Sequence, residues 1–198
     1  DAASAPGAMG LLEGYEAFQR SSLLANPLLT AHPILFVVRP PYRSSYHAID
    51  TLFHTGEANV ALFSGPGALK TIDLARGGAV RTLLEVPGGI ARDPEVSFDG
   101  GRIVFALRRG IGEDYRIHEI AADGTGLRQL TFAPGVSDFD PIWLPDGGIA
   151  FSSTRDPKYN MCSQDIAANL FRMDGSGRGI RQIDYNNLFD NQASLLAD

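Results

Sequence analysis

Residues 93–131, DPEVSFDGGRIVFALRRGIGEDYRIHEIAADGTGLRQLT, decide the fold. Two turns punctuate them, Phe98-Asp99-Gly100-Gly101 and Ala122-Asp123-Gly124-Thr125-Gly126. In each, Asp can accept hydrogen bonds from the backbone just ahead of it, and Gly takes positive φ without a Cβ clash. Both therefore predict hairpins, joining strands expected over 95–98, 103–108, 115–121 and 127–131. The run 103–107 is apolar on both faces, as in a strand sandwiched between layers, whereas 115–120 alternates as a strand nearer a surface does.

The same unit recurs along the chain. Val80-Arg81-Thr82-Leu83, Leu127-Arg128-Gln129-Leu130 and Ile180-Arg181-Gln182-Ile183 share one pattern, 47 and then 53 residues apart. Asp93-Pro94 returns as Asp140-Pro141, Asp99-Gly100-Gly101 as Asp146-Gly147-Gly148, and Ile103-Val104-Phe105 as Ile149-Ala150-Phe151. Ile34-Leu35-Phe36 fits the same slot earlier. A four-stranded repeat of about 40–50 residues is the signature of a β-propeller blade. One blade has two apolar faces and needs neighbours to bury them.

The expectation is an all-β chain: a partial β-propeller of four-stranded antiparallel blades at about 31–87, 92–132 and 138–186. Residues 190–198 read as the first strand of another blade. Stopping in mid-hairpin leaves an unpaired edge, so the chain reads as a fragment that should associate through exposed blade faces. Ahead of the blades, 1–10 reads as a small, flexible segment and 11–30 as a packing helix with its lead-in. Leu11, Leu12, Tyr15, Phe18, Leu23 and Leu24 fall at roughly helical spacing, and Pro27 should end the helix by Ala25 or Asn26.

Composition bounds function. The 198 residues carry a net charge of −6 and are 44% hydrophobic, enough for a substantial core. Residues 1–92 hold seven acids and seven bases; residues 93–198 hold sixteen and ten, so the repeats hold the whole excess. Turn chemistry accounts for those Asp residues better than a cation-binding face does. An acidic chain without basic clusters argues against nucleic acid as a partner. The longest apolar stretch, 34–38, is far too short to span a bilayer, and 1–10 has no apolar core for a secretory signal. The single Cys162 can form neither an intrachain disulfide nor a Cys-based metal site, and no CxxCH haem-attachment motif is present.

Two segments exceed the repeat's minimum. Residues 42–66 hold His47-x2-Asp50-x3-His54, side chains of the kind that bind zinc or iron at a spacing that matches no established ligand scheme. A structural or surface role competes with that metal-site reading. Residues 152–165 are predicted as an inserted loop, and long loops on repeat scaffolds often carry function. Arg155, Tyr159, Cys162 and Asp165 are its candidate functional residues, Cys162 reading more readily as a small buried residue than as a reactive thiol. No catalytic constellation emerges. Phe63-Ser64-Gly65 lacks the first Gly of a GxSxG elbow.

The string from Phe98-Asp99-Gly100-Gly101 through Asp123-Gly124-Thr125-Gly126 to Leu130-Thr131 resembles the TolB-like, WD-type propeller blades. A longer pattern runs from Ala25-Asn26-Pro27-Leu28-Leu29 and Ile34-Leu35-Phe36-Val37 through Arg92-Asp93-Pro94. It continues in Ile149-Ala150-Phe151-Ser152-Ser153-Thr154-Arg155 and Asn169-Leu170-Phe171-Arg172-Met173-Asp174. Over roughly 23–198 this resembles the middle domain of hydrazine synthase alpha subunit-like proteins. The resemblance implies a propeller flanked by c-type haem domains in a periplasmic or otherwise extracytoplasmic redox protein, with other domains or subunits as partners. Lacking CxxCH, this chain inherits no haem-ligand or catalytic residue from it.

The leading expectation is thus a non-catalytic scaffold or interaction module of a larger protein. Alternatives are the accessory propeller of a peptidase-type hydrolase, a TolB-like periplasmic protein-binding propeller, and a metal-bearing channel supported by His47, His54 and the loop 159–165.

Overall fold

Pro27 divides the N-terminal helical stretch. Without an amide proton it cannot continue a helix, but its fixed φ suits a first helical position. In the computed structural model, which describes residues 6–40, 65–159, 166–185 and 193–196, α1 (Pro6–Leu24) stops ahead of it and α2 (Pro27–Thr30) starts on it. Asn26 caps α2, its side-chain oxygen accepting from the Leu28 amide at 3.0 Å. The helix therefore begins earlier than the sequence suggested, inside the segment read as flexible.

Among the described residues eleven strands follow: β1 (Ile34–Val38), β2 (Gly67–Asp73), β3 (Ala79–Val86), β4 (Ile90–Val96), β5 (Arg102–Arg108), β6 (Arg116–Ala121), β7 (Arg128–Gln129), β8 (Asp138–Trp143), β9 (Ile149–Tyr159), β10 (Ile166–Met173) and β11 (Arg181–Gln182). They form three sheets, ordered β1-β2-β3, β4-β5-β6-β7 and β8-β9-β10-β11. The second and third are four-stranded antiparallel meanders, the blades expected from the repeat. The first shows three strands among the described residues, and β1 occupies the slot of a second blade strand, matching β5 and β9.

The innermost strands differ from expectation. β4 opens at Ile90, five residues before the strand predicted from Glu95, because a bulge between Arg92 and Glu95 splits its pairing with β5. β8 has the same irregularity between Phe139 and Ile142. Both surround an Asp-Pro pair, and a proline that cannot donate to the ladder is tolerated at a bulge. The fourth strands are short, two residues each in β7 and β11.

The residues 152–165 predicted as a loop are largely strand. β9 runs eleven residues to Tyr159 and pairs with β10 from Ile166↔Tyr159, with a register shift between Ala167 and Asn169. Only 160–165 lie between the two, outside the described residues. Polar side chains concealed the strand, since Ser152 and Ser153 sit fully buried where an apolar run was the expected signal.

The chain divides into two compact units, Asp1–Leu35 with Thr71–Arg81, and Phe36–Lys70 with Thr82–Asp198. Within the first, α1 and α2 border an open groove of about 840 Å3 together with Ile72, Leu74, Gly77 and Gly78. Glu13, Glu16, Ala17 and Arg20 line it, while Leu11, Leu12, Tyr15 and Phe18 are each more than half exposed. Of the predicted apolar stripe, Leu23 and Leu24 reach the groove, whereas Leu11, Leu12, Tyr15 and Phe18 do not line it. Spacing identifies a helix without saying which side meets a neighbour.

In the second unit the main core lies between the second and third blades. Val104, Ala106, Tyr115, Ile117 and Leu130 meet Phe139, Trp143, Ile149, Phe151, Phe171 and Met173, all buried. The period of two along β5 places Ile103, Phe105 and Leu107 on its other face, also buried. Burial of each large side chain contributes roughly 1.5–3 kcal/mol, which is how stacking stabilises sheets that could not stand alone.

Candidate functional site

The two bulged Asp-Pro pairs come together at the start of the blades. Asp93 and Asp140 both adopt positive φ, +51° and +49°, a backbone state that non-glycine residues other than Asn and Asp seldom enter. The Arg92 guanidinium reaches across, with Nε 2.5 Å from Asp93 Oδ2 and Nη2 3.4 Å from Asp140 Oδ1. The Asp140 amide donates to Asp93 Oδ2 at 3.4 Å. Arg92 also lies over the rings of Tyr115 and Phe139, at 5.6 and 5.4 Å. One cation, two carboxylates and two aromatic faces thus join the second blade to the third.

Beside this junction is a pocket of about 170 Å3, lined by Asp93, Pro94, Glu95, Asp140, Pro141 and Ala193. Burial pushes the Glu95 carboxyl above the usual carboxylate range. Ala193 stands next to the two repeat prolines, in the position the expected next inner strand would occupy. No described side chain offers an activated nucleophile here, and among the described residues no group of three or more His, Cys, Asp or Glu could hold a metal ion.

Arg155 lies elsewhere. Its Nη2 donates to Asp138 Oδ2 at 2.8 Å, and its amide to Ser153 Oγ at 3.2 Å. Asp138 is fully buried and accepts a second bond from Ser153 Oγ at 2.6 Å. Burial raises the Asp138 carboxyl above its ordinary range, and Arg155 and Ser153 pull it back down. The predicted loop residue is therefore half of an ion pair that locks β8 to β9. Tyr159 ends β9, whereas Cys162 and Asp165 lie outside the described residues, as do His47, Asp50 and His54.

Sequence reasoning passed over His118. It is buried on β6 with its ring tilted 30° to Phe105 at 6.1 Å. Its Nδ1 donates to the Arg116 carbonyl at 3.1 Å, and Nε2 has no hydrogen-bond partner among the described residues. Burial, helped by the charges of Arg109 and Arg116, holds its pKa down to about 4. The only available signal was its place in the alternation of residues 115–120. The acidic turns, by contrast, do what was expected. Ser97 Oγ and the Gly101 amide both donate to Asp99, which lowers its pKa. Asp174 is lowered in the same way by Ser176 and by the Arg178 amide.

Neither a protein-family model nor a curated protein sequence matches this chain. Solved structures do. Kuenenia stuttgartiensis hydrazine synthase superposes with a TM-score of 0.58 at 19% identity, over 80% of this chain and 26% of that one. TolB from Acinetobacter baumannii gives 0.49 at 15% identity, over 65% of this chain and 30% of its own. A puromycin hydrolase gives 0.47 at 20%, over 61% and 19%. The chain thus spans less than a third of the length of each. At such identities the likeness concerns the fold: this chain is built of β-propeller blades similar to those within hydrazine synthase.

Proposed function

We propose that this chain is a non-catalytic scaffold, a propeller module that positions neighbouring domains or subunits of a larger extracytoplasmic protein. The observation that supports this reading best is the use made of its charged groups. At the blade junction Arg92 is engaged by Asp93 and Asp140, and farther along Arg155 is engaged by Asp138. Groups spent on holding strands and blades together are not poised for proton transfer or nucleophilic attack. The fold likeness to hydrazine synthase favours a redox setting, with c-type haem on segments other than this one and any chemistry performed there.

The test is the parent reading frame together with co-expression. CxxCH segments in the same frame, and a stable complex between them and this module, are the expected results. A GxSxG hydrolase segment in that frame would replace this reading with the accessory propeller of a peptidase-type enzyme. Stoichiometric metal in the purified full-length protein, lost on replacing His47 and His54, would replace it with a metal-bearing channel.

A further inference from the structure

The outer strands of the second and third blades end in the same way. β7 and β11 stand last in their sheets among the described residues, and each is two residues long. The Leu130 amide donates to the Ile117 carbonyl at 2.8 Å, and the Ile183 amide to the Leu170 carbonyl at 2.9 Å. Backbone groups of successive strand residues point to opposite edges, so those of Gln129, Thr131, Gln182 and Asp184 belong to the outer edge. Each glutamine folds back along that edge. Gln129 Nε2 donates to the Thr131 carbonyl at 2.7 Å, and Gln182 Nε2 to the Asp184 carbonyl at 2.6 Å. On the inner side, Thr131 Oγ1 accepts from the Ile117 amide at 3.0 Å, so a side chain takes over the ladder where the β7 backbone leaves it.

The segments capped in this way are of a kind that pairs readily. Leu127-Arg128-Gln129-Leu130-Thr131-Phe132 and Ile180-Arg181-Gln182-Ile183-Asp184-Tyr185 are rich in apolar and aromatic residues and hold neither Pro nor Gly. Arg128 is the one charge of the first, and Arg181 and Asp184 cancel in the second. Phe132 and Tyr185 close them at corresponding positions, 68% and 77% exposed. An edge of this composition is a template for another strand. Such a strand needs the outward carbonyls as acceptors, and the glutamines already occupy them. In the first sheet the corresponding residue is Thr82, too short to reach a carbonyl two residues on, and β3 runs eight residues.

We propose that Gln129 and Gln182 are edge guards: each holds the carbonyl that a strand from a second copy of this chain would take, and so keeps the outer rims of the blades from pairing with one another. The contact is autoinhibitory. It forms within one short segment, whereas an incoming strand must break it before it can dock, and one net hydrogen bond shifts such an equilibrium by up to about tenfold. The inference concerns the blade edges and not the scaffolding role, so either can fail alone.

The experiment compares the 198-residue chain with a Gln129→Met, Gln182→Met double variant, similar in side-chain length but without the donors. Light scattering and hydrogen exchange read by mass spectrometry are the measurements. The variant should associate as its concentration rises, with exchange slowed about tenfold within 127–132 and 180–185 and unchanged elsewhere. The unaltered chain should show no such slowing. Gln129→Lys with Gln182→Lys, which supplies a donor again, should behave as the unaltered chain does. So should Gln19→Met, the same change on the exposed helix α1. Should the double variant fail to fold, the single variants decide, each expected to protect its own segment alone. The proposal is overturned if the methionine variants associate no more than the unaltered chain, or if they do so only with loss of protection across the core. It is overturned equally if lysine or Gln19→Met associates as they do, or if the unaltered chain already pairs through these segments.

Discussion

The second and third blades share one backbone plan and fill it with different chemistry. Where β4 meets β5, Ala91 pairs with Leu107; at the matching position of β8 and β9, Asp138 pairs with Ser153. All four are buried. On the facing strands, Phe105 meets His118 in one blade and Phe151 meets Phe171 in the other, at 6.1 and 6.2 Å and the same 30° tilt. The repeat therefore conserves position and ring geometry, but not polarity. A polar substitute is tolerated where its partners are supplied, as Arg155 and Ser153 supply Asp138, because an unpaired buried charge is too costly to keep.

The sharpest way to break this comparison is to remove one partner of the polar lock. Asp138→Ala should lower stability by about 3–5 kcal/mol, since Arg155 is left without its counter-ion. Pairing it with Arg155→Met should recover part of that loss. Urea midpoints for the two variants check both statements.

The His118 position tests the aromatic half. Its pKa is held at about 4 against an ordinary 6.5, so the unfolded chain binds the extra proton first as pH falls. The stability contributed by the neutral ring is complete above pH 6.5, declines as pH drops towards 4, and changes no further below that. The total is up to roughly 3 kcal/mol. His118→Phe, copying the third blade, should flatten this part of the stability–pH curve measured by chemical denaturation.

Smaller effects are expected where blades touch. Gly177→Ala should cost about 2 kcal/mol, from a positive φ and a clash with backbone that cannot retreat. Gly126→Ala, at φ +67° with open space around it, should cost about half as much, and thermal melts would rank the two. Arg102 stacks on Trp143 at 4.4 Å and is partly exposed, so Arg102→Ala should cost only about 1 kcal/mol by the same measurement.

Legibility in the sequence followed the range of the forces involved. Asp-Gly turns are local, and those at Asp99, Asp123, Asp146 and Asp174 stand where the residues place them. β5 matches its predicted span because its apolar run, 103–107, is continuous. The polar half of β9 was missed because its ladder with β10, not its composition, makes it a strand. At the blade junction Asp93-Pro94 and Asp140-Pro141 were visible as a repeat. Their convergence on Arg92 was not, because that contact joins residues 48 apart across a blade boundary.

Sequence alone determined that this protein is a tandem of small antiparallel sheets. Turn residues and alternating side chains act within a few positions of one another, and the 47- and 53-residue repeats multiply that evidence. Only the tertiary structure decided what the polar residues do: that Arg155 binds Asp138, that Arg92 joins two blades, and that Glu13, Glu16 and Arg20 share the groove wall with Leu23 and Leu24. The physical reason is that a turn is specified by its own few residues. The fate of a buried charge depends on which distant partner packing delivers to it.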